Sequence, residues 1–186
     1  MKIQDLVNYN HLTYGAFIQN TWNASDLFKL ETGLRTDYQN EYGVFVLPRI
    51  SAMFDFNNNW TARVGGGLGY KTPTVFTEDA ERIQFQNVLP IDVENTVAER
   101  SIGGNFDVNY RTEFWETIGF TANVLFFYTK VNDPLILMNT FPATWEYTQP
   151  DGFIDTKGVE ANFKFSYRDF KLFTKLYPCR CKSTLQ

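Results

Sequence analysis

Apolar and polar residues alternate along most of this chain with a period of two. Over 28–38 the even positions are Phe28, Leu30, Thr32, Leu34, Thr36 and Tyr38. Between them lie Lys29, Glu31, Gly33, Arg35 and Asp37. Over 60–71 the stripe Trp60, Ala62, Val64, Gly66, Leu68, Tyr70 faces away from Thr61, Arg63, Gly65, Gly67, Gly69, Lys71. Two more clean alternations run over 99–111, with Ile102, Phe106, Val108 and Tyr110 on the apolar side, and over 156–167, with Val159, Ala161, Phe163 and Phe165. Successive Cβ atoms of a strand point to opposite faces, so this period predicts β-strands. Weaker alternations over 12–22, 46–56 and 118–128, and a short one over 170–176, bring the prediction to about eight strands.

The connections differ in length. Short polar ones are expected at Asn23-Ala24-Ser25-Asp26, at Asn57-Asn58-Asn59, near 111–116 and at Arg168-Asp169; longer ones over 39–43, 72–96 and about 131–155. Antiparallel strands in sequence order put the short turns at one end and the long loops at the other. A helical period is visible only over 78–85, inside a long loop. The prediction is all-β, an antiparallel up-and-down arrangement.

Alternation alone does not say which face meets what. A soluble barrel turns its apolar face inward; a membrane barrel turns it to lipid and keeps a polar lumen. Three features favour the membrane. The alternations at 28–38 and 60–70 have the length of a tilted membrane strand. Trp22, Trp60, Phe114 and Trp115 sit beside short turns, and Tyr38, Tyr70 and Tyr128 beside long loops, where amphipathic rings would meet both interfaces. Short turns opposite long loops are the barrel's usual asymmetry. The rival is a self-contained soluble eight-stranded barrel carrying a small apolar ligand.

Composition narrows the function. Of 186 residues, 17% are aromatic, and the net charge is −4 with a sequence pI near 5.0. No basic footprint for nucleic acid is present, and no apolar run approaches a spanning helix. No apolar stretch follows Lys2, so the N-terminus does not read as a secretory signal. Cys179 and Cys181 are too close for an easy disulfide and too few, with His11 alone, for a metal site. No catalytic constellation is expected, so an enzyme is not, and no cofactor is implied. The acidic trio Glu78, Asp79, Glu81 reads as a solvated loop rather than a cation site, and Gly65-Gly66-Gly67 lacks the Lys-Ser/Thr of a phosphate loop.

The binding candidates lie on the long loops: Phe76, Arg82 and Phe85 on the first, Trp145 and Tyr147 on the second. Aromatics and arginine are frequent anchors; loop-on-loop packing is the plainer account. Lys29, Glu31, Arg35, Arg63, Glu99 and Asp107 fall on the lumenal side, either lining a wet interior and contacting what fills it, or pairing along the wall. Gly65, Gly67 and Gly69 share that side and mark either a close approach from the lumen or a bend.

An ordered set of stretches, YGAFIQNTW (14–22), LETGLRTDY (30–38), VLPRISAMF (46–54), RVGGGLGYKTPT (63–74), ENTVAERSIGGNFDVNY (94–110), LFFYTKVND (125–133) and TKGVEANFKF (156–165), resembles the barrel of a TonB-dependent outer-membrane receptor of the Bacteroidetes type. The resemblance spans about 14–176. It implies a segment of a transmembrane barrel that has 22 strands in the family, in the bacterial outer membrane. It also implies partners: outer-membrane lipid, a nutrient such as a ferric siderophore, haem or cobalamin at the extracellular face, and TonB acting through a plug absent here. The box Tyr70-Lys71-Thr72-Pro73 resembles one in haem receptors, but its companion motif is not recognisable. Residues 1–177 are expected to be partial barrel. Over 178–186 the sequence PCRCKSTLQ departs from the family's alternation, and the chain is expected to be a fragment.

Overall fold

The computed structural model describes residues 10–115, 117–140 and 143–185. Residues 1–9 of the N-terminal reading, Glu116 in the expected turn and the final Gln186 lie outside them.

Strands β1 (Thr13–Ser25), β2 (Phe28–Gln39), β3 (Gly43–Asp55), β4 (Trp60–Lys71), β5 (Glu99–Phe114), β6 (Ile118–Asn132), β9 (Gly152–Tyr167) and β10 (Phe170–Leu176) form one antiparallel sheet in which each pairs with the next. A hairpin of β7 (Ile136–Thr140) and β8 (Thr144–Thr148) stands apart from it. The only helix among the described residues is α1 (Glu78–Arg82), in the loop expected to show a helical period. All eight expected strands are present, and most run longer than the alternation that revealed them. The ends carry loop-facing residues whose polarity no longer alternates, while the backbone ladder continues.

The polarity of the two faces is inverted relative to a soluble protein. Ile18, Ile50, Val64, Ile102, Phe106 and Phe126 are exposed on one face. The largest fully buried side chains are Asp37 and Gln39, on the other. Buried apolar residues among the described ones are just Phe45, Ala62, Ala80, Ile91 and Ala98, which is no core for a chain that is 44% hydrophobic. Register lines the apolar residues into rows. Ala52 stands opposite Val64, Val64 opposite Phe106, Phe106 opposite Phe126, and Phe126 opposite Val159. Such rows match a hydrocarbon environment. The sheet runs from β1 at one end to β10 at the other without closing on itself. The soluble closed barrel is therefore not favoured.

The opposite face carries a polar ladder. Asn109, Asn123, Asn162 and Lys175 share one row. Asn123 Nδ2 donates to Asn109 Oδ1 at 2.8 Å and Asn162 Nδ2 to Asn123 Oδ1 at 3.3 Å. Asp107 and Glu160 accept from the end members, and Lys175 closes the chain on Glu160 at 2.8 Å. Lys29–Asp55 (3.2 Å), Arg35–Asp37 (2.8 Å) and Lys71–Glu99 (3.6 Å) are also paired. For Lys29, Arg35 and Glu99, pairing along the wall is what the structure favours. The strand glycines serve close strand approach: a Cβ on Gly67 would lie 3.0 Å from Pro48 O, and one on Gly66 3.0 Å from Gly103 O.

Four details differ from expectation. The 39–43 connection is a tight turn, not a long loop. Gln39 Oε1 accepts from the amides of Glu41 and Tyr42, and Gly43 takes a positive φ of 80°. The 131–155 loop holds the β7–β8 hairpin. Tyr70 is not an interface residue: its hydroxyl donates to Asp37 at 2.9 Å and its ring stacks on Phe45 at 3.8 Å. Finally, residues 179–185 form β11 (Cys179–Leu185), which continues the register of β10 along β9. Leu176 stands opposite Ala161, Cys179 opposite Gly158, and Val159 N donates to Pro178 O at 3.0 Å. A ladder needs backbone groups, not alternating side chains.

The facing assignment is open to mutation. In the protein folded into lipid vesicles, Val64→Arg is expected to cost about 2–4 kcal/mol by urea unfolding, and Arg63→Val on the opposite face far less. The reverse order would place the apolar face in the bore.

Candidate functional site

The long loops at one end of the sheet fold into a single unit. Residues 72–98 connect β4 to β5, and residues 133–151 connect β6 to β9 and contain the hairpin. Helix α1 is capped by Thr77, whose Oγ1 accepts from Ala80 N at 3.3 Å, and its first turn is acidic, as the helix dipole favours. The two loops meet along the backbone. Trp145 N donates to Asn87 O at 2.9 Å and Leu89 N to Trp145 O at 2.8 Å, with Val88 and Trp145 forming a parallel bridge.

Side chains fasten the same contact. The Tyr147 hydroxyl donates to Val75 O at 3.1 Å and lies 2.7 Å from Thr77 Oγ1. Gln149 makes a bidentate clasp on Val97: its Oε1 accepts from Val97 N at 2.9 Å and its Nε2 donates to Val97 O at 2.9 Å. Nε2 also donates to Asp133 O at 2.6 Å. Glu99 Oε1 accepts from Leu135 N at 2.7 Å and so ties the base of the second loop to β5. Sequence reasoning did not single out Gln149, Thr77 or this role of Glu99. A lone glutamine in a loop carries no pattern, and only the fold shows that 149 and 97 are neighbours.

The five predicted residues divide. Trp145 and Tyr147 are half-buried and hold loop to loop. Phe76 (76% exposed) and Phe85 are open to solvent, their rings edge-on with centroids 6.0 Å apart. Phe85 has φ of 56°, a left-handed conformation unusual for a bulky residue. Its amide reaches Ala80 O at 2.8 Å, which keeps the ring at the loop surface. Arg82 is exposed and paired with Glu78 at 2.6 Å and Asp79 at 3.7 Å on its own helix. The loops therefore offer an exposed aromatic pair and, on α1, a cation whose charge is locally balanced. Among the described residues no group of three His, Cys, Asp or Glu side chains is placed to hold a metal ion.

One loop carboxylate is shifted by its surroundings. Asp92 accepts from Asn95 Nδ2 at 2.6 Å and from Glu94 N at 3.1 Å. The Asn95 amide foremost, against desolvation and with help from the Glu94 and Asn95 backbone amides, holds its carboxyl below the ordinary range.

Comparison with known proteins places these observations. The family model described as "TonB dependent receptor-like, beta-barrel" matches residues 6–178. The iron-regulated outer membrane virulence protein of Vibrio cholerae serotype O1 is 26% identical over 72 residues, covering 39% of this chain and 11% of that protein. The siderophore receptor PirA from Pseudomonas aeruginosa superposes with a TM-score of 0.75 at 16% identity, over 92% of this chain and 32% of its own. The FrpB iron transporter from Neisseria meningitidis (F3-3 variant) gives 0.68 at 20% identity, over 93% and 26%. At these identities the solved structures speak for the fold. The chain spans about a third or less of each of these relatives.

Two outcomes are expected. Gln149→Leu removes three hydrogen bonds and leaves the Val97 backbone unpaired, so amide exchange at Val97 is expected to quicken by about 1–3 kcal/mol of lost protection, with exchange in β5 unchanged. The lowered carboxyl of Asp92 stabilises its turn above the ordinary carboxylate range, and that stabilisation disappears as pH falls through the lowered value. Protease sensitivity of loop 72–98 is expected to rise on acidification below about pH 4, and Asp92→Asn to flatten that dependence.

Proposed function

The chain belongs to the TonB dependent receptor-like β-barrel family of the bacterial outer membrane, and on that premise we propose that the whole protein captures a scarce nutrient at the cell surface and imports it. The observation that carries this is the inverted polarity of the wall: exposed rows such as Val64–Phe106–Phe126 on one face, buried Asp37 and a paired asparagine ladder on the other. Such a wall separates lipid from a wet lumen, which a transporter needs. The energy would come from TonB acting on a plug domain rather than on this wall.

A ferric siderophore or a similar iron complex is the favoured cargo. The support is the nature of the relatives, a siderophore receptor, an iron transporter and an iron-regulated outer membrane protein. Haem and cobalamin are the runners-up. At the loops, Phe76 and Phe85 would meet the cargo with Arg82 beside them. Trp145 and Tyr147 would act behind them by fixing one loop against the other. Two exposed rings and a guanidinium suit a ligand with flat, partly apolar and anionic parts.

The experiment is binding and uptake of a labelled ferric siderophore by cells making the intact receptor. Phe76→Ala with Phe85→Ala is expected to weaken binding at least about tenfold, without changing the barrel's unfolding in vesicles. Unchanged binding by that variant, in a receptor that imports the complex, would remove these loops from the site. No uptake of any iron complex by the unaltered receptor would remove the cargo assignment.

A further inference from the structure

Cys179 and Cys181 are free thiols, both exposed, and both lie just past residue 178, where the match to the family ends. The ladder fixes where they point. Cys179 stands opposite Gly158 and Cys181 opposite Thr156. Gly158 and Thr156 alternate in step with Glu160 and Asn162 along β9, which carry the polar ladder of the lumenal face. Partners in an antiparallel ladder share a face, so the two thiols project side by side into the lumen, at successive same-face positions of β11.

Their neighbours offer sulfur little competition. The Thr156 hydroxyl donates to Cys181 Sγ at 3.5 Å. The Phe127 ring covers Gly158, where an added Cβ would lie 2.7 Å from Phe127 Cζ, and it stacks on the Tyr177 ring at 5.9 Å between centres. The nearest lumenal charges on this part of the wall, Glu160 and Lys175, are spent on each other at 2.8 Å. Among the described residues no third His, Cys, Asp or Glu joins the thiols in a group placed to hold a metal ion. The donor set is therefore two sulfurs beside a hydroxyl and two aromatic rings.

Spacing decides what such a pair can do. Same-face Cβ atoms of a strand are about 6.7 Å apart. A disulfide needs Cβ atoms about 3.8 Å apart, so the ladder keeps the sulfurs unjoined. Zinc and iron–sulfur clusters need four protein ligands, and two thiols fall short. A linear two-coordinate ion needs only two sulfurs, held about 4.6 Å apart at twice a metal–thiolate bond of about 2.3 Å. Strand side chains lean along the strand, and two Sγ atoms leaning toward each other span that gap. Thiolates without harder ligands select Cu(I). We infer that Cys179 and Cys181 form a two-coordinate lumenal site for Cu(I). Binding makes two Cu–S bonds and releases both thiol protons to solvent, with no change in oxidation state. The site is separate from the cargo contacts read at the loops, and its failure would leave the import reading standing.

The test uses the intact receptor in neutral detergent, reduced and then freed of reductant under argon. Cu(I) is titrated against bicinchoninate as a coloured competitor, X-ray absorption counts the sulfurs on the bound ion, and heat-modifiable migration follows barrel integrity. One Cu(I) per chain with two sulfur neighbours is expected. Affinity is expected to rise about 100-fold per pH unit at acidic pH, as release of two protons requires, against about 10-fold for a single thiol. Cys179→Ser and Cys181→Ser are each expected to weaken binding at least about 100-fold, and Zn(II) is expected to compete poorly. Undiminished binding in either Ser variant, a one-proton pH slope, or displacement by equimolar Zn(II) would overturn the inference. So would a disulfide joining the two cysteines in the folded, unreduced protein, which the ladder forbids. Should a Ser variant fail to form a barrel, the pH slope and the sulfur count on the unaltered protein decide.

Discussion

In a hydrocarbon environment no water is present to satisfy a backbone amide or carbonyl, so each strand must find its partners on both sides. That constraint governs this chain more than side-chain packing does. There is no apolar interior to fold around: most large apolar residues are spread over the outward face, and the largest fully buried side chains are those of Asp37 and Gln39. Specificity comes from register. A slip of β5 by one residue against β4 would carry Asp107 to lipid and Phe106 to the lumen, and leave Arg63 and Val64 without their partners. The lumenal ladder Asn109–Asn123–Asn162 adds a second restraint, since its members meet only in the observed register.

The same constraint explains why the loops, not the strands, carry the candidate site. Wall residues are committed on one face to lipid and on the other to paired polar chains such as Lys29–Asp55 and Glu160–Lys175. Loops 72–98 and 133–151 are released from the ladder and must satisfy their backbone by other means. Gln149 does so for Val97, Tyr147 for Val75, and Trp145 exchanges backbone hydrogen bonds with 87 and 89. Holding the frame with half-buried Trp145 and Tyr147 leaves Phe76 and Phe85 exposed on a fixed surface. A ligand that meets them encounters little loop entropy left to lose.

Strand existence and facing were legible because period two is imposed by the lipid on one side and water on the other. Trp60–Lys71 and Phe170–Leu176 coincide with their alternations to the residue. What was not legible lies where that pressure stops. The 39–43 turn reads as a loop until Gln39 is seen capping it through its own side chain. Tyr70 has the composition and position of an interface tyrosine, and only the three-dimensional neighbourhood of Asp37 and Phe45 draws it inward. The tail lacks alternation because Cys179, Arg180, Cys181 and Lys182 are polar or small on both faces, yet the open edge of β9 gives their backbone a ladder. At the loops, the aromatic content singled out the candidate residues, but their division into framing and exposed ones depended on partners as distant in sequence as Thr77 and Tyr147.

Inside the sheet, the seam between β3 and β4 departs from complete pairing and shows how the wall tolerates it. β3 pairs with β2 along its length, from Gly43 opposite Gln39, but with β4 only from Arg49 opposite Gly67 to Asp55 opposite Thr61. The seam opens at Pro48, which has no amide hydrogen to donate, beside Gly67, where even a Cβ would crowd Pro48 O. Above it, strand-to-strand hydrogen bonds give way to side chains. Phe45 is buried against the Tyr70 ring, the Arg100 guanidinium lies 5.7 Å from the Phe45 ring centre, and Tyr70 is anchored to Asp37, itself held by Arg35. An aromatic stack with a cation at one end and a buried carboxylate at the other fills the gap that a ladder would have closed. That accounts together for the buried Asp37, the inward Tyr70 and the stacked Phe45. Phe45 and Tyr70 break the alternation locally, and both serve the pairing requirement from which the alternation arises.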